Sequence, residues 1–104
     1  MTRFVHPATA DITLDGVLGA LSDPIRLKIL KKLLDRRDEG LSCSDAAPCA
    51  EMAKSTLSHH FRVLRDAGLI RTTKRGVENL NSVRWDDVNG RFPGLLKAIM
   101  KFQR

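Results

Sequence analysis

The predicted helix Thr56–Ala67 and the two residues before it carry side chains suited to hydrogen bonding with the bases and phosphates of nucleic acid. At 100° per residue, Leu57, Phe61 and Leu64 point to one side, toward a core. The opposite side and its flanks carry serine, threonine, histidine and arginine, which bond to base edges or phosphates. The expected DNA-binding residues of this segment are Lys54, Ser55, Thr56, Ser58, His59, Arg62 and Arg65. The alternative is an ordinary surface helix, whose outer face usually mixes glutamate with lysine.

A second basic group lies in a predicted β-hairpin, where Lys74, Arg75 and Asn79 come at the tip. Such a tip reaches phosphates or the adjacent minor groove, so Lys74 and Arg75 join the expected DNA-binding residues. Residues 54–84 contain seven basic and two acidic residues, and the rest of the chain is nearly neutral. A net charge of +6 concentrated in this way is typical of a protein with a polyanionic partner. The alternative is a solvated basic face without a partner.

Two cysteines, Cys43 and Cys49, are too few for a disulfide framework or a four-cysteine zinc site. No secretory signal is readable in residues 1–10, so we expect a cytoplasmic protein whose thiols stay reduced. Both side chains then act as small hydrophobic groups. The alternative is a redox-sensing thiol pair that oxidises and moves the DNA-reading helix. Cys43 has no cationic neighbour in sequence to favour its thiolate, which weakens that alternative.

The adjacent histidines His59 and His60 have the residue type of a metal or catalytic pair. Because adjacent helical residues point about 100° apart, the two rings do not readily share one ligand site. His59 faces outward toward DNA, and His60 is expected to pack at the helix edge. The chain has no glycine-rich phosphate loop, nucleophile elbow or HExxH motif, so we expect no enzyme and no catalytic residue.

The apolar periodicity predicts the elements that hold these side chains. A first helix carries a stripe from Leu14 to Leu21, and a second starts at Pro24 behind the capping residue Asp23. An extended piece at Leu41–Asp45 follows, and then a small helix through Met52 that is capped by Ser44 or Asp45. The next helix covers Thr56–Ala67, with Ser55 as its cap and Gly68 as its stop. Two strands, Leu69–Lys74 and Leu80–Trp85, precede a helical region that starts at Asp86 and bends at Pro93–Gly94.

This order predicts a mainly α fold with a small β-hairpin wing, a winged helix-turn-helix in the order α-α-α-α-β-β-α. A length of 104 residues fits one domain. We expect a disordered N-terminal tail at 1–11, the helix-turn-helix at 44–68, the wing at 69–85 and a C-terminal dimerisation helix at 86–102.

Both terminal helices carry apolar stripes, and so small a core does not easily cover the two of them. We therefore expect a homodimer. The expected interface residues are Leu14, Val17, Leu18, Leu21, Leu95, Leu96, Ile99 and Met100. The apolar stretches are far shorter than a membrane span, so the expected partners are double-stranded DNA and a second copy, and not a membrane.

Two segments resemble the ArsR/SmtB family of winged-helix repressors. Asp23–Leu30, DPIRLKIL, is similar to the second-helix signature, and Ser55–Ile70, STLSHHFRVLRDAGLI, is similar to the recognition helix and the start of the wing. The resemblance runs from about Leu14 to Met100. It implies a homodimeric repressor that binds a palindromic operator and releases it when an effector binds; the sequence does not identify that inducer.

The metal chemistry that the resemblance implies is poorly matched. The family's arsenic and cadmium sensors carry two cysteines that flank one residue; here Ser42 and Ser44 flank Cys43, and serine hydroxyls are poor ligands for soft metals. Its zinc sensors use aspartate and histidine on the last helix, but residues 86–104 contain no histidine. We therefore expect no metal and no cofactor. The fold also occurs in protein-interaction modules, and the basic, acid-poor helix face favours DNA over that alternative.

Overall fold

The computed structural model describes residues 4–37, 39–49 and 51–103, which form six α-helices and a three-stranded antiparallel sheet. In chain order the elements are a 3-10 turn at Thr9–Asp11, α1 (Leu14–Ala20), α2 (Pro24–Asp35), β1 (Leu41–Ser42), α3 (Cys43–Ala46), α4 (Lys54–Asp66), β2 (Ile70–Arg75), β3 (Glu78–Val83), α5 (Trp85–Arg91) and α6 (Leu95–Lys101). The predicted mainly α fold with a hairpin wing is confirmed. No helix in these residues has the length and apolar character needed to cross a membrane.

The start of α2 follows the local sequence. Asp23 Oδ1 accepts hydrogen bonds from the backbone N–H groups of Ile25 (2.7 Å) and Arg26 (3.3 Å). Pro24 occupies the first helical position, where its missing N–H costs nothing. The predicted cap and first residue of this helix are therefore confirmed.

The short helix α3 is a single turn, shorter than predicted. Ser42 caps it through a 3.2 Å hydrogen bond that Ser42 Oγ accepts from a backbone N–H of the first turn. Ala47 is extended because it precedes Pro48, and the helical region is unfavourable for a residue before proline. The prediction that this helix continues to Met52 is therefore wrong.

Helix α4 begins one residue before the predicted cap. Its N-cap position is Ala53, so Ser55 lies in the first turn with an exposed side chain instead of capping the helix. At the other end, Gly68 has a φ of +83° and ends the helix in the left-handed conformation, as predicted.

The sheet has the strand order β1-β3-β2. The hairpin pairs Ile70 with Val83 at its base and Arg75 with Glu78 at its tip, so the turn is tighter than the five residues predicted. Of the extended piece predicted over Leu41–Asp45, only Leu41–Ser42 is a strand, because α3 already begins at Cys43. This third strand pairs with Asn81 and its neighbour in β3. The pairing of β1 with the wing was not predicted.

The core gathers apolar side chains from every helix and from the base of the sheet. Its fully buried members include Ile12, Val17, Ile29, Leu30, Leu33, Ala46, Phe61, Leu64, Leu69, Ile70, Val88 and Leu96. Val17, Leu21 and Leu96 are only 0%, 5% and 0% exposed. Placing these three at a dimer interface is therefore wrong, because the core of their own chain already covers them.

Residues 4–12, which we call the N-terminal strap, pack against the domain instead of forming the disordered tail expected for residues 1–11. His6 Nε2 accepts a 3.0 Å hydrogen bond from the backbone N–H of Thr72, and the carbonyl oxygen of Pro7 accepts one of 2.8 Å from Arg84. The side chain of Ile12 is buried in the core. The first three residues lie outside the described chain.

The C-terminal region is two helices rather than one. Its first helix starts at Trp85, one residue before the predicted start at Asp86. Gly94, with a φ of +82°, separates α5 from α6 and confirms the predicted bend beside Pro93. The backbone N–H of Gly94 donates to Asn89 Oδ1 at 3.1 Å, which stabilises the turn.

Candidate nucleic-acid interface

Helix α4 presents a polar face to solvent because its apolar residues are anchored in the core. Leu57, Phe61 and Leu64 are buried, as the helical wheel predicted. The exposed residues of the helix that were expected to contact DNA are Lys54, Ser55, Thr56, Ser58, His59 and Arg62. His60 is buried rather than lying at the helix edge. The structure thus brings together six of the seven predicted residues on one exposed face.

Arg62 and Arg65 differ in their surroundings. The Arg62 side chain is 76% exposed, and its Nε lies 3.8 Å from Asp66 Oδ2, a surface ion pair that holds it only weakly. Arg65 instead donates from Nη1 to Thr72 Oγ1 at 3.2 Å, and its guanidinium carbon lies 4.6 Å from the ring centroid of Phe4. The strap therefore engages Arg65, contrary to the expectation that it projects toward DNA.

The tip of the wing is fully open to solvent. Lys74 and Arg75 are exposed at the end of β2, opposite Asn79 and Glu78. Asn79 pairs within β3, whereas the prediction placed it in the turn. Gly76 supplies the positive φ of +63° that the tight turn needs. Both basic residues predicted at the tip are thus available to an external partner.

A buried polar network anchors the base of the wing. Thr72 Oγ1 donates to Asn81 Oδ1 at 2.7 Å across the two wing strands. Asn81 Nδ2 then donates to the carbonyl oxygen of Leu41 (3.1 Å) and to Cys43 Sγ (3.5 Å). Asn81 is fully buried and fully bonded, so the network is rigid. The network was not predicted, although Thr72 lies two residues after Ile70 and therefore on the same, inward side of the strand.

Arg84, one of the seven basic residues within 54–84, belongs to the interior and not to the exposed basic surface. Its side chain is 4% exposed and donates from Nε to Asp87 Oδ2 at 2.9 Å. This hydrogen bond is the main reason that the pKa of Asp87 is lowered, with a smaller contribution from the charge of Arg71. Asp87 therefore stays ionised, and its negative charge offsets the positive charges of Arg84 and Arg71.

The two cysteines are both free thiols in different environments. Cys43 is half-buried at the start of α3, where its sulfur accepts the hydrogen bond from Asn81. Cys49 is exposed in a bend after α3, so the expectation that it lies inside a helix and is buried is wrong. The thiol switch stays a prediction.

The residues present do not fit the metal sites implied by the resemblance. Ser42 Oγ is already engaged as the cap of α3, and Asp87 is engaged by Arg84. Among the described residues, no three histidine, cysteine, aspartate or glutamate side chains come together as a metal-binding group. We therefore assign no step of the function to a metal.

An exposed basic helix held by a buried apolar face and followed by a basic hairpin defines a winged helix-turn-helix protein of the DNA-binding class. Comparison with known proteins agrees. A family model described as "Helix-turn-helix domain" matches residues 21–73, which run from the end of α1 into β2.

The relatives are transcriptional regulators. An uncharacterized HTH-type transcriptional regulator, YceK, from Bacillus subtilis (strain 168) is 36% identical over 83 residues, covering 80% of this chain and 82% of the relative. An arsenical resistance operon repressor from the same strain is 35% identical over 72 residues, 68% of this chain and 66% of the relative.

Solved structures give the same answer for the fold. A crystal structure of an ArsR family transcriptional regulator matches with a TM-score of 0.66 and 25% identity, covering 88% of this chain and 97% of the other. An ArsR-like transcriptional regulator from Rhodococcus sp. RHA1 matches with a TM-score of 0.63 and 25% identity, covering 86% of this chain and 81% of the other. The chain belongs to the ArsR family of helix-turn-helix transcriptional regulators.

Proposed function

We propose that the protein is a homodimeric repressor that binds a palindromic DNA operator. In this proposal α4 is the recognition helix and lies in the major groove, while Lys74 and Arg75 at the wing tip bind the backbone or the minor groove. The observation that carries the proposal is the exposed face of α4, where hydroxyl, imidazole and guanidinium groups occur without an acidic residue before Asp66. Arginine on such a face can form two hydrogen bonds with guanine.

The dimer rests on apolar surface that a single chain leaves uncovered. Leu14 and Leu18, one helical turn apart on α1, are 46% and 47% exposed. On the C-terminal helix, Leu95, Ile99 and Met100 are only half-buried. A second copy would cover these side chains, and its two-fold axis would require two inverted half-sites in the DNA.

The effector is a separate question from the DNA site. Relatives from Bacillus subtilis and Staphylococcus xylosus are arsenical resistance operon repressors. We do not extend arsenic sensing to this chain, because serines stand at both positions where that chemistry needs thiolates. Nor does the structure favour the thiol switch or the protein-interaction module over DNA binding. The residues of the chain therefore specify no inducer.

Selection of bound fragments from genomic DNA tests the proposal. Purified protein is mixed with sheared genomic DNA, and the retained fragments are sequenced and footprinted. We expect one or a few enriched fragments, each with two protected half-sites about one helical turn apart. Transcription from the adjacent promoter should fall when protein is added. Fragments retained in proportion to their input, or a single asymmetric footprint, would contradict the proposal.

A further inference from the structure

A partly buried polar cluster ties α4 to α1 and α2. Arg26, near the start of α2, donates from Nε to the carbonyl oxygen of Ala20 at 2.6 Å. Its Nη1 lies 3.1 Å from Nδ1 of His60, which is only 7% exposed in the middle of α4. Nη1 also lies 4.0 Å from the carboxylate of Asp23, the cap of α2. One guanidinium therefore contacts the end of α1, the start of α2 and the side of α4.

The chemistry of the two side chains determines the protonation of His60. Guanidinium nitrogens only donate hydrogen bonds, so Nδ1 of His60 must be the acceptor. In this contact the ring carries its proton on Nε2. The guanidinium is planar and rigid, and its contact with Ala20 fixes the direction in which Nη1 points.

Rotation of α4 about its own axis is a motion that a directional contact can restrict. The apolar anchors Leu57, Phe61 and Leu64 hold the helix against the core, but hydrophobic contact is non-directional. A hydrogen bond from a fixed donor is directional, and it weakens steeply as its angle departs from linear. His59 precedes His60 by one position and points about 100° away from it around the helix, so the orientation of one sets that of the other.

We propose that the Arg26–His60 hydrogen bond sets the rotational position of the recognition helix, and so determines which side chains meet the bases. The pair acts by positioning and does not touch DNA. This inference rests on the proposed function, since it assumes that α4 reads the operator. It also connects the two segments that carry the family resemblance, because Arg26 lies in the first and His60 in the second.

Two substitutions at one position separate positioning from simple stability. In His60→Asn, the amide oxygen takes the place of Nδ1 and still accepts from Arg26; in His60→Leu, a side chain of similar size offers no acceptor. The quantity measured is the ratio of the Kd for random DNA to the Kd for the selected genomic fragment. It is measured at a temperature at which circular dichroism shows that each variant is fully folded. We expect His60→Leu to lower this ratio by about tenfold, the effect of a buried hydrogen bond to a charged group, and His60→Asn to restore most of it.

Val88→Ala on α5 is the stability control. It should lower the Tm without changing the ratio, because Val88 is a buried apolar residue outside the helix-turn-helix. Arg26→Lys replaces His60→Leu as the test if that variant does not fold. Lysine keeps the positive charge but lacks the planar guanidinium that contacts Ala20 and His60 at once, so the ratio of the two Kd values should again fall. In the wild-type protein, nitrogen NMR of His60 should show the neutral ring protonated at Nε2.

The outcomes distinguish this inference from the proposed function. If the wild-type protein binds all DNA equally, the proposed function fails before the pair is tested. If the wild type discriminates and both His60→Leu and Arg26→Lys discriminate equally well, the positioning role is wrong. An imidazole that carries its proton on Nδ1 would also overturn it.

Discussion

Arg62 and Arg65 lie three residues apart on α4 and have different surroundings. Arg62 projects into solvent beside a weak ion pair with Asp66, whereas Arg65 contacts the strap and the wing. The proposed division of labour follows from this difference. We propose that Arg62 and His59 contact bases and that Lys74 and Arg75 contact the backbone, while Arg65 supports the end of α4.

We expect Arg62→Ala to reduce discrimination between operator and random DNA. Loss of a two-hydrogen-bond contact with a base should cost about 1–3 kcal/mol and relax the preference at one position of each half-site. Lys74→Ala, the matched control, should weaken binding to all sequences alike and lower the salt dependence by about one unit of slope. Fluorescence anisotropy at several salt concentrations measures both effects. Equal weakening of operator and random DNA by Arg62→Ala would mean that Arg62 contacts only phosphate.

His6 should make the stability of the fold depend on pH. Burial lowers its pKa below the ordinary 6.5, and the positive charges of Arg71, Arg84 and Arg65 lower it further. Only the neutral ring can accept the hydrogen bond from Thr72. The stabilisation is therefore fully present above pH 6.5 and is lost as the pH falls from there through the lowered pKa, because the unfolded chain binds the proton first.

Urea unfolding at about pH 7.5 and about pH 5.5 tests this linkage. The wild type should lose more free energy of unfolding on acidification than His6→Gln, in which an uncharged amide oxygen accepts the same bond. All other titrating groups are common to the two proteins and cancel in the comparison. An identical loss in the two proteins would show that His6 does not contribute.

At the scale of elements, the connection between α4 and β2 joins the recognition helix to the wing. The N–H of Gly68 donates to the carbonyl of Arg65 and the N–H of Leu69 to that of Leu64, both at 3.0 Å, which satisfies the last carbonyls of the helix. A Cβ added to Gly68 would lie 2.5 Å from a side-chain carbon of Ile12, which is buried in the core. The strap thus packs against the turn that sets the angle of the wing.

We expect Gly68→Ala to destabilise the fold more than Gly76→Ala. Both glycines have positive φ, +83° and +63°, so each substitution carries the left-handed penalty of about 1–2 kcal/mol. A Cβ at Gly76 would meet no atom within 4 Å, whereas one at Gly68 would meet Ile12. Urea denaturation gives both free energies of unfolding. Equal losses of free energy of unfolding at the two positions would show that Ile12 moves aside without destabilising the fold.

The elements that could be predicted from sequence are those specified by local signals. The cap Asp23, the stop Gly68 and the apolar period of α4 act within a few residues, and they gave α2 and α4 almost correctly. The strap and the pairing of β1 with the wing were missed because the partners are distant in sequence; His6 and Thr72 are 66 residues apart. Local periodicity also predicted the exposed face of α4. It did not predict the contacts of Arg65 and Arg84 with the strap, because the strap is distant in sequence.

The whole molecule is a small domain with apolar surface left on its terminal helices. Leu14 and Leu18 on α1 are about half exposed, and Phe102 after α6 is largely exposed. The sequence pattern identified both apolar stripes, but it did not show which of their side chains are buried within a single chain. Val17, Leu21 and Leu96 are those members, so the proposed interface reduces to the exposed remainder.

We expect Leu18→Glu to convert the dimer into a monomer that remains folded. A charge would be buried at the proposed interface, while in the free chain this position is already about half exposed. Val77→Glu at the fully exposed wing tip is the matched control and should leave the dimer intact. Light scattering gives the mass of each. A dimeric Leu18→Glu protein would exclude α1 from the interface.

Competition binding tests the central claim, sequence-specific recognition of DNA, most directly. A labelled fragment selected from the genome is bound by wild-type protein and displaced by unlabelled operator or by a scrambled duplex of the same composition, at one fixed salt concentration. The proposed function predicts that the operator competes at least about 10³-fold better than the scrambled duplex. Equal competition by the two duplexes would contradict it, because binding would then reflect only the positive charge of the chain.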